Sequence, residues 1–125
     1  IAYGSKGEIL SFGTPGGDMQ DTWSLHAFLR HVHFDMNLQE AIESPQFHTE
    51  HMPNSFYPRE SKAGHLALEG RFDDATISEL ESRGHNIDMR GDWTISYVTA
   101  ATQDDNGVLR AGASPRNMQC YAAGR

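Results

Sequence analysis

A Thr-Pro-Gly-Gly turn at residues 14–17 carries the clearest chemical signal in this sequence. Gly16 and Gly17 are adjacent glycines, which adopt positive φ without steric cost and leave consecutive N–H groups uncovered. In front of a helix, such donors face a standing or a developing negative charge. The lysine of a Walker A loop and the Gly-x-Gly-x-x-Gly dinucleotide pattern are both missing. A tight strand-to-helix connection without any ligand explains the same residues, so both interpretations stay open at this point.

The seven histidines invite a metal-site hypothesis. The closest groups are His31-Val32-His33 and His48-Thr49-Glu50-His51. Pro45 and Pro53 make the second group extended or irregular, and the sequence has neither a His-Glu-x-x-His motif nor a cysteine partner for it. Histidines at a helix end and on the surface explain the pattern, so we predict no metal and no cofactor.

No side chain in the sequence is a convincing nucleophile. A Gly-x-Ser-x-Gly elbow is absent, and Ser24 and His26, two apart on a helix, point in different directions. Cys120, the single cysteine, has no histidine near it in the sequence and is typical of inert packing. A helix cap and a hairpin tip explain the pairs Asp73-Asp74 and Asp104-Asp105. The chain therefore offers a place to stabilise negative charge but no nucleophile or base, which suggests half of an active site.

Length and composition limit the class of protein. The 125 residues suffice for one modest domain, and 38% hydrophobic with 22% charged residues is typical of a globular protein. The formal net charge of −7 lacks the lysine and arginine surplus that a nucleic-acid-binding surface needs. The apolar runs are too short to cross a membrane, and no targeting segment is visible, so the compartment stays open.

The elements that position the turn are a short strand before it and a helix after it. Residues 8–12 are predicted as the strand. Over residues 18–33, apolar side chains recur at helical spacing, and Asp18 is the predicted N-cap. A second, short helix follows, with Asn37 as its N-cap and Glu40 completing a capping box.

The second half of the chain is predicted as strands around one further helix. Residues 46–64 are typical of a loop and residues 65–72 of a strand, after which Asp73 caps a helix that Gly84 ends. An Asp-Asp-Asn-Gly hairpin turn at 104–107 joins two later strands. The remaining predicted strands cover residues 87–89, 94–102, 108–113 and 120–123.

These elements predict a single α+β domain over residues 1–125, with helices covering a mostly antiparallel sheet. Because the acidic balance argues against a platform for stacking bases, the aromatic side chains are assigned to the core. They are Trp23, Phe28, Phe34, Trp93 and Tyr97.

Several segments together resemble the C-terminal part of the γ-glutamyltranspeptidase family. That family typically has Gly-Ser-Pro-Gly-Gly, a helix, and then Met-Asn-x-x-Glu-Ala followed by Pro-Arg and His. The matching residues here are Phe12–Gly17, Asp35–Ile42 and Ser44–His48. The family's closing segments are similar to Leu68-Glu69, Gly84-His85, Ala113–Arg116 and Tyr121–Gly124. The resemblance covers nearly the whole chain.

The resemblance implies part of the αββα sandwich of N-terminal nucleophile hydrolases. Members of the family cleave themselves and expose a threonine at the start of the small subunit. Its hydroxyl attacks a γ-glutamyl amide, its amine serves as the base, and the acyl group passes to water or to an amine acceptor. Two turn glycines donate N–H groups to the oxyanion, a role that falls here on Gly16 and Gly17. Thr14 and Asp18, which flank these glycines, are the predicted substrate-binding residues.

This sequence also departs from the family pattern. Thr14 stands where the family usually has serine, and Asp18 where many members have serine. Ser114 replaces the usual aspartate before Pro-Arg. The chain begins with Ile1 instead of threonine, so we expect the nucleophile and the paired serines that contact substrate upstream, in the rest of the same precursor.

Two hypotheses follow. The favoured one is the C-terminal portion of a γ-glutamyltranspeptidase-like amidohydrolase or acyltransferase for small γ-glutamyl or acyl-amide substrates of the glutathione type, inactive as an isolated chain. The alternative is a non-catalytic binding or assembly module that retains the sandwich, which Asp18 favours because a carboxylate near the donors would repel an oxyanion. A fragment also exposes the face that its missing half covers, which predicts self-association or an exposed apolar patch.

Overall fold

The computed structural model describes residues 1–124. Contacts among them divide the chain into two compact units. Unit 1 contains residues 1–44 and the segment from Ser96 onward, and unit 2 contains Pro45–Ile95. No helix in the described part of the chain is long and apolar enough to cross a bilayer.

Within the described residues, two strands are followed by two α-helices, two strands, one α-helix and three strands. The strands are β1 (Ala2–Tyr3), β2 (Ile9–Gly13), β3 (Phe47–Thr49), β4 (His65–Glu69), β5 (Asn86–Arg90), β6 (Thr99–Gln103) and β7 (Leu109–Ala113). The α-helices are α1 (Gln20–Val32), α2 (Leu38–Glu43) and α3 (Asp74–Ser82), and a 3₁₀ turn at Gly17–Met19 precedes α1.

The sheet of unit 1 has the order β1-β2-β6-β7, and every neighbouring pair is antiparallel. Ser11 pairs with Ala101, which pairs in turn with Ala111, so the three side chains share one face of the sheet. All three residues are exposed. This face of the sheet is therefore open and lined by small residues.

Helices α1 and α2 cover the other face of the sheet in unit 1. The Phe28 ring of α1 lies against Phe12 of β2, with 5.9 Å between the ring centroids. Helix α2 approaches β7 so closely that a Cβ built on Gly112 would lie 3.0 Å from Ile42 Cδ1. Helices on one face and an open opposite face are the arrangement expected for one half of a sandwich.

Both ends of α2 are held by side chains. Asn37 accepts the N–H of Glu40, and the Glu40 carboxylate accepts the N–H of Asn37, so the predicted capping box is confirmed. At the other end, the Arg116 guanidinium donates to carbonyl oxygens that have no partner inside a helix of this length. These are the carbonyls of Ile42, Glu43 and Ser44.

Unit 2 contains a three-stranded sheet with the order β3-β4-β5. β3 and β4 are antiparallel, whereas β4 and β5 are parallel and are connected through α3. One face buries Leu66 and Leu68. Helix α3 begins at the Asp73 cap and is followed by Gly84 at φ 92°, which confirms both predicted ends.

A buried carboxylate lies at the end of β4. Glu69 is 0% exposed, and its two oxygens accept the N–H groups of Gln46 and Ile95, each at 3.0 Å. The Arg71 guanidinium donates to the same carboxylate at 2.9 Å, and its charge balances the acid. The Glu69 side chain thus connects the first residues of unit 2 to its last residue.

The α+β prediction with a mostly antiparallel sheet is confirmed, but the predicted strand at 94–102 is too long. β6 begins only at Thr99. The backbone before it has positive φ at two residues other than glycine, Trp93 at 58° and Ser96 at 77°. Such residues leave the extended region, so a strand cannot run through them.

Three further expectations are wrong. The loop predicted for residues 46–64 contains β3, because its short Phe47–Thr49 segment pairs with β4. Residues 120–123 form no strand. Among the aromatic side chains assigned to the core, Phe34 is 69% and Trp93 39% exposed. Phe34 lies beyond the end of α1, and Trp93 lies in a turn outside the strands and helices.

Candidate functional site

The turn after β2 adopts a conformation that only glycine reaches easily. Gly16 has φ 140° and ψ 17°, and Gly17 has φ 57°. The Gly16 carbonyl then accepts the N–H of Met19 at 3.1 Å, which winds the chain into the 3₁₀ turn before α1. Both glycines thus use the positive φ that the sequence analysis noted as open to them.

Among the hydrogen bonds within residues 1–124, none uses the N–H of Gly16 or Gly17. Both residues are exposed. The N-terminus of α1 adds the positive end of its dipole behind them. The turn therefore presents consecutive donors to which a ligand anion can bind from outside.

The Thr14 side chain is used within the turn. Its hydroxyl donates to the Pro15 carbonyl at 2.8 Å and accepts the N–H of Tyr97 at 3.3 Å. Thr14 thereby connects the turn to the segment that leads into β6. The contact with substrate that the resemblance implies for Thr14 stays a prediction.

Asp18 is not the N-cap of the helix, contrary to the sequence-based prediction. It lies inside the 3₁₀ turn, and the cap position of α1 is Met19, which makes no side-chain capping bond. The reason is that the helical turn already begins at Gly17, with the positive-φ Gly16 at its cap position, so Asp18 lies inside the turn. Asp18 is exposed and lies in the first turn next to Gly17, where the helix dipole favours a carboxylate.

The Ser-Pro-Arg segment near the end of the chain contributes to packing in unit 1. Ser114 is fully buried, and its hydroxyl donates to the Ser96 carbonyl at 3.2 Å and accepts the N–H of Arg116 at 3.3 Å. Together with the Arg116 contacts to the end of α2, these bonds hold α2, β7 and the strained Ser96 in one arrangement.

A polar cluster in unit 2 was missed by the sequence analysis, which treated its histidines as surface residues. His48 Nε2 lies 3.7 Å from Glu50, and His65 has one ring nitrogen 3.7 Å from Glu50 and the other 3.4 Å from Asp88. The strand register explains the cluster, because His48 and Asp88 both pair with Ala67 and so share one face of the sheet.

Burial and charge act in opposite directions on this cluster. Burial lowers the pKa of His48 below its ordinary value of 6.5, and the nearby Glu50 carboxylate opposes that shift only in part. The hydrogen bond from the Lys62 ammonium lowers the pKa of Glu50. Among the described residues, no group of three histidine, cysteine or acidic side chains has the arrangement needed to hold a metal ion.

Unit 1 also contains a cavity of about 580 Å³, whose lining mixes apolar side chains of β2 and α1 with charged and polar side chains of neighbouring segments. Ile9, Phe28 and Val32 form part of its wall. Neither Gly16 nor Gly17 lines it, so the turn is separate from this cavity.

Comparison with known proteins gives the family. The family model described as Gamma-glutamyltranspeptidase matches residues 2–124. The fold class and the glycine turn described above agree with that match. The chain belongs to the γ-glutamyltranspeptidase family.

Two relatives with curated descriptions illustrate the range of names in the family. The chain is 31% identical over 118 residues to the glutathione hydrolase-like YwrD proenzyme of Bacillus subtilis, covering 93% of this chain and 21% of that protein. It is 28% identical over 115 residues to the oxamate amidohydrolase proenzyme of Klebsiella pneumoniae, covering 90% and 21%. The chain thus spans about a fifth of the length of these relatives.

Solved structures support the fold. The structure of LmbA2991HD superposes with a TM-score of 0.86 and 42% identity, covering 93% of this chain and 21% of that chain. The γ-glutamyltranspeptidase from Pseudomonas nitroreducens complexed with L-DON gives a TM-score of 0.76 at 17% identity, covering 100% of this chain and 60% of that chain. The second likeness bears on the fold alone.

Proposed function

We propose that this chain is the C-terminal part of the small subunit of a γ-glutamyltranspeptidase-like amidohydrolase or acyltransferase, and that residues 1–125 act there as one domain. In this proposal a threonine upstream of Ile1, in the same precursor, supplies the nucleophile. The N–H groups of Gly16 and Gly17 form the oxyanion hole. The observation that carries the proposal is the pair of exposed, positive-φ glycines whose N–H groups have no acceptor within residues 1–124.

The proposed reaction uses those donors in its first step. The threonine hydroxyl attacks the amide carbon, its proton passes to the threonine amine, and the carbonyl oxygen becomes an oxyanion. Collapse of that intermediate expels the amine of the substrate, which takes up the proton, and leaves an acyl ester on the threonine. Water or an acceptor amine then releases the acyl group through a second oxyanion at the same place.

We assign the substrate class from the relatives and from the charge at the turn. The relatives' names include glutathione hydrolase and oxamate amidohydrolase, whose substrates share an amide bond. An exposed Asp18 beside the turn suits a substrate with an ammonium or amide group near the scissile bond. The proposed substrates are therefore small γ-glutamyl amides or other acyl amides.

The alternative proposal is a binding or assembly module without catalysis. The same Asp18 favours it, because a carboxylate next to Gly17 would raise the energy of an oxyanion. Exposed large apolar side chains at the sheet edges, such as Tyr3 at 76% and Leu109 at 74%, suit a chain that associates with the rest of its precursor or with itself.

Substitution of Gly17 in the full-length precursor tests the catalytic proposal. Gly17→Val is expected to lower kcat for a γ-glutamyl anilide by about 100-fold or more, because a side chain at φ 57° forces the donors out of position. The matched control is Gly13→Ala, since nothing lies within 4 Å of a Cβ built there. An unchanged kcat in Gly17→Val would remove the turn from the mechanism, and turnover by the isolated 125-residue chain would contradict the need for an upstream nucleophile.

A further inference from the structure

The indole of Trp23 packs directly under the glycine turn. Trp23 lies on α1 and is 6% exposed. A Cβ built on Gly16 would lie 2.2 Å from its Cζ3 atom, 2.9 Å from Cε3 and 3.0 Å from Cη2. Helical side chains lean toward the N-terminus of their helix, so a large ring at this position reaches back over the turn that precedes α1. The six-membered part of the indole occupies the space in which any other residue at position 16 would have a side chain.

The indole is itself held by Tyr97. The two rings meet edge to face, with 6.0 Å between centroids and an interplanar angle of 85°. The N–H of Tyr97 also donates to the Thr14 hydroxyl. Tyr97 therefore supports the turn twice, through its backbone at Thr14 and through the indole of Trp23 at Gly16.

The contact of the Trp23 indole with Gly16 limits the directions in which the N–H groups of the turn can point. A pair of glycines without a neighbouring surface samples many φ and ψ values, and donors that move lose most of their effect on a developing charge. With the indole against Gly16 and the hydrogen bond at Thr14, the turn is confined to the observed conformation at φ 140° and ψ 17°.

We propose that Trp23 is a positioning residue, whose indole fixes the Gly16–Gly17 turn so that its N–H groups aim at the oxyanion. The inference rests on the proposed function. Trp23 does not itself contact the reacting atoms; it acts through the backbone of Gly16. Its loss should raise the energy of the transition state while leaving the binding of the uncharged amide almost unchanged.

The test uses the processed full-length enzyme. Trp23→Leu is expected to lower kcat by about tenfold or more with KM within about threefold, because donors aimed at an oxyanion act only in the transition state. Trp23→Phe keeps a six-membered ring and is expected to retain kcat within about threefold. The matched control is Phe28→Leu, on the same helix and half-buried against Phe12, which should leave kcat unchanged although it also loses core packing.

Other outcomes separate this inference from the function on which it rests. If Gly17→Val lowers kcat but Trp23→Leu does not, the positioning role is wrong and the oxyanion turn stands. If neither variant changes kcat, the proposed function fails. An equal loss of kcat in Phe28→Leu and Trp23→Leu would show a general effect of core packing and overturn the inference. Should Trp23→Leu fail to fold, Trp23→Met has about the same volume but a longer, flexible side chain that adapts to the space left by the indole. It should show the same loss of kcat, with retained kcat as the contrary result.

Discussion

Two regions of this chain offer backbone N–H groups to a negative charge, and they differ in the source of that charge. In unit 2, the carboxylate of Glu69 is fully buried and accepts the N–H groups of Gln46 and Ile95. In unit 1, the N–H groups of Gly16 and Gly17 are exposed and have no acceptor within residues 1–124. The first region uses its anion for stability, and in the proposed function the second receives an anion only during the reaction.

The starts of the helices show the same contrast. α2 and α3 begin at Asn37 and Asp73, whose side chains accept the N–H groups of their own first turns. The 3₁₀ turn before α1 begins at Gly16, which has no side chain for that purpose. A cap at this position would stabilise the helix but would occupy its donors. Where α2 and α3 have capping side chains, the start without one is the start whose N–H groups stay available to a ligand.

The largest expected effect is the loss of the buried carboxylate. Glu69→Ala leaves two buried N–H groups and the Arg71 guanidinium without their acceptor, so the free energy of unfolding should fall by about 3–5 kcal/mol. Urea unfolding of the protein measures the change. The control is Glu79→Ala, an exposed partner of Arg83 that should cost at most about 0.5 kcal/mol. If Glu69→Ala lowers the free energy of unfolding by no more than Glu79→Ala does, the buried carboxylate does not stabilise unit 2 as described.

A smaller effect is expected on substrate binding at the turn. Asp18→Asn removes the exposed charge beside Gly17 and should raise KM about tenfold with kcat little changed, since a hydrogen bond to a charged group contributes in ground state and transition state alike. Steady-state kinetics of the full-length enzyme measure KM and kcat of the variant. A rise in kcat would instead show that the carboxylate repels the oxyanion, and an unchanged KM would place Asp18 outside the substrate site.

The smallest effect is a pH dependence in the polar cluster of unit 2. Because burial lowers the pKa of His48 in the folded state, the unfolded chain binds the proton more readily, and stability should fall as the pH drops below 6.5 toward the lowered pKa. His48→Gln should flatten the dependence of unfolding free energy on pH between about 7.5 and 5.5. His33→Gln, at the exposed end of α1, is the control. The same slope in His48→Gln and the unaltered protein would contradict the assignment to His48.

The sequence predicts best what depends on neighbours along the chain. The Asn37 and Asp73 caps, the Gly84 helix end and the hairpin at 104–107 were all predicted, because each is a contact within a few residues. Positive φ at Gly16 and Gly17 belongs to the same class.

Contacts between distant segments escaped the prediction. β3 has only three residues, and it is a strand because β4 pairs with it. The Glu69 carboxylate accepts hydrogen bonds from two residues that are 23 and 26 positions away in the sequence. No local sequence pattern predicts such bonds. Trp23 was correctly assigned to the core, but its contact with Gly16 depends on the 3₁₀ turn that displaced Asp18 from the cap.

The Glu69 carboxylate has a consequence for how this part of the fold can change over evolutionary time. By binding residues at the beginning and the end of Pro45–Ile95, it keeps the two chain ends of unit 2 beside each other. A segment whose two ends lie close together can be lengthened, replaced or lost without moving the chain segments that flank it. The same carboxylate that stabilises unit 2 thus also gives this segment the closed chain ends of an insertable module.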